Sequence, residues 1–285
     1  MNKPFPYPVS TELCKEFRDN GFVVTKNVFT SQEIAEYKQA IDAEVALRTQ
    51  ADTRDVADKS LYEQSFIQCM RLWETDETVR RLSCSKRLAG IATQLLDVDG
   101  VLLWQDQALY KEGGGRETTP HQDQTFWPIG MAPLVSAWIP LVDVTVNNGA
   151  MSYVPGSHQA GALKVVDITH TTDPYDILND PAIADAEPQC VEIEAGSVVW
   201  HDGFTVHMAA ANNTQSTRCV FTTVYISDNA TRAKPWPAYP LDRDGVGVGE
   251  VISGPGMPQV WPPSDQLPSV PPKIGDQTGP QYRLD

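Results

Sequence analysis

The spacing of apolar positions divides the chain into a helical first part and a β-rich middle. Residues 10–21 open with serine and threonine and close with Asn-Gly, which are the signals of a short capped helix. Residues 30–50 open with Thr-Ser and carry apolar residues at helical spacing, and a helical pattern returns around residues 76–96. The run "FVVTKNVF", residues 22–29, predicts a strand.

From about residue 98 the pattern changes to short apolar runs separated mostly by Gly, Pro, Asn and Asp. The runs are "GVLLWQDQALY", "LVSAWIPLVDV", "AMSYVPGS", "QCVEIEAGSVVW", "TVHMAAA" and "RCVFTTVYIS". Short strands without helices between them predict an antiparallel sandwich or barrel. Residues 231–285 hold eleven of the 22 prolines and predict an irregular tail, packed on the body or partly mobile. We therefore expect one domain, mainly β, with a helical part (1–97), a β core (98–230) and this tail.

Composition and charge narrow the classes of protein that fit the sequence. With 285 residues, of which 41% are hydrophobic, the chain is long enough for a sizeable core. A net charge of −15 would repel phosphate backbones and anionic lipid, so neither nucleic acid nor a membrane is expected as a partner. The start of the chain does not look like a signal peptide, and the five scattered cysteines lack C-x-x-C spacing, which favours a reducing cytoplasm.

The stretch "TTPHQDQTFWP", residues 118–128, contains a candidate for metal chemistry. On a strand, residues i and i+2 point to the same face, so His121 and Asp123 would offer an imidazole nitrogen and a carboxylate oxygen to one ion. Such spacing also occurs by chance, and two ligands do not make a metal site. A third ligand has to come from the other histidines: His158, His170, His201 and His207.

His207 differs from the other candidates because it lies within the apolar run "FTVHMAAA". A histidine on an apolar strand needs a polar partner or a metal. The following Asn212-Asn213 predicts a two-residue hairpin turn, and a hairpin centred there pairs His207 with Arg218. Two histidines and one carboxylate commonly hold non-haem Fe(II) and leave positions for a 2-oxo acid and dioxygen. Arg218 would then clamp the far carboxylate of that acid.

Four segments together resemble the phytanoyl-CoA dioxygenase family of Fe(II)/2-oxoglutarate oxygenases, which includes the ectoine hydroxylases, over about residues 10–228. They are "FRDNGFVVTKNVFTSQEI", "TTPHQDQTFWP", "SAWIPLVDVTVNNGAMSYVPGSH" and "GSVVWHDGFTVHMAAANNTQSTR". The resemblance implies a double-stranded β-helix, or jelly roll, flanked by helices. It implies Fe(II) bound by His121, Asp123 and His207, and Arg218 on the distal carboxylate of 2-oxoglutarate, with O2 as the other co-substrate. It also favours His207 over His201, because the family's ligand lies eleven residues before the arginine.

The resemblance places further residues near the co-substrate: Trp138, Trp127 and Gln107. Lys111, in the glycine-rich stretch "KEGGGRE", is expected to be solvated. Ala209 stands where family members often carry a serine that contacts the co-substrate. A carboxylate at Asp123 disfavours halogenation, because related halogenases carry a small residue there.

The sequence therefore predicts a dioxygenase that hydroxylates a small-molecule substrate and releases succinate and CO2. Desaturation, ring formation or endoperoxidation with the same cofactors is the alternative outcome, and a non-catalytic metal-binding sensor is another. Arg218 argues against the sensor, because a structural metal needs no anion clamp. Residues 113–115 and the polar insertion 170–188 are expected to border the entrance of the site and to become more ordered when ligands bind.

Overall fold

The computed structural model describes residues 5–272. Residues 1–4 and the last part of the predicted tail, 273–285, lie outside the described residues. The helices in the described range are α1 (Thr11–Asn20), α2 (Ser31–Thr49), α3 (Leu61–Ser65), α4 (Glu77–Ser83), α5 (Lys86–Leu96) and α6 (Tyr239–Arg243). The strands are β1 (Phe22–Thr25), β2 (Ile67–Met70), β3 (Val101–Lys111), β4 (Thr118–His121), β5 (Leu134–Pro140), β6 (Met151–Tyr153), β7 (Gln189–Val191), β8 (Val198–Asp202), β9 (His207–Ala209), β10 (Arg218–Ser227) and β11 (Gln259–Trp261).

The predicted capping signals do begin and end the first helices. The Ser10 side chain accepts a hydrogen bond from the N–H of Leu13 in the first turn of α1, and Gly21 ends that helix in the left-handed conformation. Thr30 and Glu33 form a reciprocal capping box at the start of α2. The helical pattern around residues 76–96 is two helices, because Ser85 caps a new helix directly after α4.

The larger sheet of the described chain contains seven antiparallel strands, in the order β1–β8–β5–β10–β3–β11 with β2 added against β3. Side chains alternate between its faces, as β5 shows. Val135 and Ala137 join the main core, which α2, α4 and α5 cover. Ser136 and Trp138 face the other way, towards the smaller sheet.

The smaller sheet consists of four short antiparallel strands in the described chain, in the order β4–β9–β6–β7. It packs on the larger sheet through an apolar cluster that includes Tyr153 from β6 and Trp138 from β5. Two facing antiparallel sheets with flanking helices confirm the predicted mainly-β fold.

The described part of the proline-rich tail packs on the body. Leu241, Val246 and Ile252 are buried in one apolar cluster with Trp104 of β3. The Arg232 guanidinium fixes the segment by donating to the backbone oxygens of residues 236 and 246. Across residues 5–272, no helix is both long and apolar enough to cross a membrane.

The predicted hairpin that pairs His207 with Arg218 is wrong. His207 pairs with His121 in the smaller sheet, whereas Arg218 pairs with Lys111 in the larger sheet. The buried amide of Asn212 donates to the backbone oxygen of Lys111 at 2.9 Å. The chain between the two strands therefore crosses from one sheet to the other instead of turning back on itself.

Candidate metal centre and ligand cavity

A cavity of about 150 Å³ lies between the two sheets, and three predicted site residues meet on its wall. His121 ends β4, and its cross-strand partner His207 begins β9. Asp123 does not continue the strand: its φ of −63° and ψ of −48° are helical, and it starts a tight turn. The turn, and not the expected strand alternation, brings the carboxylate to the histidines. One ligand atom from each residue lies within 4.8 Å of the other two.

Backbone carbonyls fix the orientation of both imidazoles. Nδ1 of His121 lies 2.7 Å from the oxygen of Thr119, and Nδ1 of His207 lies 2.9 Å from the oxygen of Thr205. A carbonyl oxygen only accepts, so each Nδ1 carries the proton and donates it. Each Nε2 therefore keeps its lone pair free for a metal.

Asp123 stays ionised at this site. Burial alone would raise the pKa of its carboxyl, but His207, His121 and His201 hold that pKa well below its usual range. Its second oxygen, Oδ2, lies 3.4 Å from Nε2 of His201 and 3.4 Å from the hydroxyl of Ser136. His201 is thus a neighbour of the triad carboxylate.

The imidazole of His207 is uncharged at neutral pH. Burial is the largest cause, and together with the neighbouring His121 it lowers the pKa of His207 to about 3. A neutral imidazole is the form that binds metals.

The donor set fits iron. Oδ1 of Asp123 lies 3.4 Å from Nε2 of His121 and 3.6 Å from Nε2 of His207. Ligand atoms that share one ion through bonds of about 2.1 Å are separated by about 3 to 3.5 Å. Two imidazoles and one carboxylate, with other positions open, are the set typical of non-haem Fe(II).

Arg218 presents a buried cation to the same cavity. Its side chain is 2% exposed, and Nη1 donates to the oxygen of Gly149 at 2.7 Å. The guanidinium carbon lies 5.5 Å from the ring centre of Trp138. Nε has no hydrogen-bond partner in the described chain, and burial lowers the pKa of Arg218 only to about 10. A cation with an unused donor at this place is suited to binding a carboxylate.

The other predicted co-substrate residues also line the cavity: Trp138, Trp127 and Gln107. The expectation that Lys111 is solvated is wrong. Lys111 is fully buried, and its amine donates to the backbone oxygen of Arg116. Burial first, and the nearby charge of Arg218 second, lower the pKa of Lys111 to about 7.

Neither predicted loop supplies a side chain to the cavity wall as the described chain forms it. Gly114 donates its N–H to the oxygen of Asn212, so the glycine loop packs on the crossing segment between the sheets. The wall is completed instead by residues that the sequence analysis did not single out, among them Arg71, Trp104 and Tyr239. The polar run "WQDQ" in an otherwise apolar strand is a local signal that could have indicated this wall. Ordering of the two loops on ligand binding stays a prediction.

Known proteins resemble this chain in sequence. The family model described as phytanoyl-CoA dioxygenase (PhyH) matches residues 17–220. The ectoine dioxygenase of Stutzerimonas stutzeri is 27% identical over 263 residues, which cover 83% of this chain and 85% of that protein. The phytanoyl-CoA dioxygenase domain-containing protein 1 of Danio rerio is 30% identical over 177 residues, covering 56% of this chain and 60% of that protein.

Solved structures resemble it in fold. The carbocyclase SnoK from nogalamycin biosynthesis, titled non-heme and alpha ketoglutarate dependent, has a TM-score of 0.71 and 27% identity and covers 88% of this chain and 96% of its own. The epimerase SnoN, solved with Fe3+, alpha ketoglutarate and nogalamycin RO, has a TM-score of 0.71 and 26% identity, with 87% and 97% covered. These neighbours confirm the jelly-roll class and agree with the expected iron and 2-oxoglutarate. The chain belongs to the phytanoyl-CoA dioxygenase family of iron- and 2-oxoglutarate-dependent oxygenases.

Proposed function

We propose that this protein binds Fe(II) and 2-oxoglutarate and hydroxylates a small molecule, with release of succinate and CO2. The observation that carries the proposal is that the triad and the buried cation of Arg218 line one cavity. A metal site that only stabilises the fold has no need of an anion-binding group beside it. The combination supports an oxygenase over a metal-binding sensor.

In this proposal His121, Asp123 and His207 hold the iron, which when bound supplies dioxygen activation coupled to oxidative decarboxylation of 2-oxoglutarate. The backbone carbonyls behind the imidazoles keep both Nε2 atoms directed at the centre. Arg218, held by Gly149, binds the distal carboxylate of the co-substrate through its remaining donors. The apolar side chains around the site exclude water from the reacting groups.

The comparison with solved structures favours a second kind of reaction at the same site. The neighbours SnoK and SnoN are titled a carbocyclase and an epimerase, so ring formation or epimerisation is the competing reaction. The ligand triad is compatible with all three outcomes. The mass of the product separates them: hydroxylation adds one oxygen atom, ring closure removes a pair of hydrogens, and epimerisation leaves the mass unchanged.

The test is succinate formation. Purified protein is loaded with Fe(II) without oxygen, mixed with 2-oxoglutarate, exposed to air and assayed for succinate with and without a panel of small molecules. We expect slow succinate release alone and faster release with a substrate. No succinate from iron-loaded protein with any addition would contradict an oxygenase, and a metal-free sample is the matched control.

A further inference from the structure

An irregularity in β3 gives the cavity an additional side chain. Gln107 and Gln105 line the cavity at alternate positions, and Leu103 would follow if the alternation continued. The pairing with β10 shifts here and leaves Trp104 between the paired residues Gln105 and Leu103. Trp104 consequently lines the cavity, whereas Leu103 packs in the core. A β-bulge redirects a side chain in this way.

Arg71 reaches the same cavity through a second irregularity beside the first. Phe66, Gln68 and Met70 line the cavity at alternate positions of the neighbouring segment. Arg71 follows directly and has a φ of 58°, in the left-handed region that few non-glycine residues adopt. Its N–H donates to the oxygen of Asp106 at 2.9 Å, and its side chain also lines the cavity. Such backbone outliers are often found at functional sites.

Both added side chains are buried donors with an unused N–H. Trp104 is 2% exposed and Arg71 is 7% exposed. The indole Nε1 of Trp104 and the Nε of Arg71 have no hydrogen-bond partner in the described chain. Neither atom can accept a hydrogen bond, and an unpartnered buried donor is costly. Because both side chains line the cavity, a molecule that reaches these N–H groups from inside it has to carry acceptor atoms.

The charges around the cavity disfavour a cationic ligand. Among the described residues that line it, Asp123 is the one carboxylate, and it belongs to the triad. Glu74, which pairs with Arg71, also accepts from Arg243 at 3.1 Å. An ammonium group would find no free carboxylate here, and burying an unpaired charge is costly.

Aromatic side chains make up much of the remaining wall: Phe66, Trp104, Phe126, Trp127 and Tyr239. The ring centres of Trp104 and Trp127 lie 6.1 Å apart with their planes tilted by 58°, so the two indoles pack against each other and form one continuous aromatic surface on this wall. We infer that the substrate is an aromatic molecule, uncharged or anionic, that presents an oxygen acceptor to Trp104 and Arg71. The inference rests on the proposed function, because it names the substrate class of the same cavity.

The test is calorimetric titration of the Fe(II)- and 2-oxoglutarate-loaded protein without oxygen, using three probes. They are 2-naphthoate, the matching cation 2-naphthylmethylammonium, and the non-aromatic acid cyclohexanecarboxylate. We expect 2-naphthoate to bind at least about tenfold more tightly than either of the others. Equal or tighter binding of the cation or of the non-aromatic acid would overturn the inference, with no variant required.

A matched pair of variants tests the donor. Trp104→Phe keeps an aromatic ring and removes the N–H, so it should raise the Kd for 2-naphthoate about tenfold. Trp73→Phe removes an equally unpartnered buried indole N–H that lies outside the cavity, and it should leave that Kd unchanged. The same effect from both variants would count against a role for Trp104.

Failure of the inference and failure of the proposed function are distinguishable. Visible charge-transfer absorption on adding 2-oxoglutarate to the Fe(II) protein reports the proposed cofactor complex. If that absorption appears and 2-naphthoate does not bind, the substrate class is wrong and the proposed function stands. If the absorption is missing and 2-naphthoate still binds selectively through Trp104, the chemical class of the ligand stands and the proposed function is wrong.

Discussion

The two sheets of the protein differ in the length of their strands and in the site residues that they carry. In the larger sheet β3 has 11 residues and β10 has 10, and both are almost entirely buried. In the smaller sheet β4 has 4 residues and β9 has 3. Yet the imidazoles of the candidate metal centre stand on β4 and β9, as the cross-strand partners His121 and His207.

The difference shows how a short sheet can position reactive groups. Its strands are too short to be stable alone, so they depend on packing and on local polar bonds. The hydroxyl of Ser157 accepts the N–H of Val206, and Thr205 donates to the oxygen of Gly21. The larger sheet contributes Arg218 and Trp138 from strands anchored in the core. The smaller sheet thus holds the two imidazoles of the candidate metal centre, and the larger sheet holds the buried cation of Arg218.

The largest expected effect tests whether the metal chemistry belongs to the smaller-sheet side. Asp123→Gly removes one of the three proposed ligands and one charge, so we expect iron affinity and succinate formation to fall by at least about 100-fold. Iron titration and the succinate assay measure both, with the exposed Asp185→Gly as the control. Unchanged turnover in Asp123→Gly would show that this carboxylate is not a ligand.

The second-largest expected effect tests whether Arg218 of the larger sheet acts separately from the candidate metal ligands. Arg218→Ala removes the buried cation of the larger sheet and should raise the Kd for 2-oxoglutarate by about 100-fold, the value of a charged hydrogen-bonded contact. Iron affinity should change far less, because the triad is intact. Arg54→Ala, which removes an exposed arginine paired with Asp52, is the control. Equal loss of both affinities would mark Arg218 as structural.

A smaller effect is expected where the sheets meet. His201, on β8 of the larger sheet, lies 3.4 Å from Oδ2 of Asp123, and we expect it to position that carboxylate. His201→Ala should weaken iron binding about tenfold, and His201→Gln should recover part of the loss by donating again. Iron titration measures these changes in iron affinity, and His158→Ala is the control variant. Identical iron affinity in wild type and His201→Ala would exclude a positioning role.

The smallest effect concerns the buried end of β3. The pKa of Lys111 is lowered to about 7 by burial and by Arg218, whereas the unfolded chain keeps about 10.4. Between these values the unfolded state binds more protons, so the free energy of unfolding rises with pH. Relative to Lys111→Met, the wild type should gain about 1 kcal/mol between about pH 7 and pH 8 in urea titrations. If the free energies of unfolding of the wild type and of Lys111→Met change in parallel with pH, Lys111 is charged and solvated. Lys15→Met, which replaces an exposed lysine, is the control.

The sequence by itself determined the features that depend on near neighbours. Helix caps act over three or four residues, which is why Ser10 and Thr30 marked the starts of α1 and α2 correctly. Apolar runs between turn residues located most of the β strands, although not β2, β4 or β11, and with them the fold class. His121 and Asp123 lie two residues apart, so their spacing alone already indicated a possible pair of ligands.

Only the tertiary structure decided which distant segments meet. The pairing of His207 with His121, and of Arg218 with Lys111, overrode a locally plausible hairpin. The burial of Lys111 and the bulge at Trp104 belong to the pairing of β3 with β10, and the place of His201 is set by the pairing of β8 with β5. Strand register is set by the free energy of the whole core, to which segments far apart in the chain contribute together. A local pattern does not contain that sum, and so it indicated candidate ligands without showing the cavity around them.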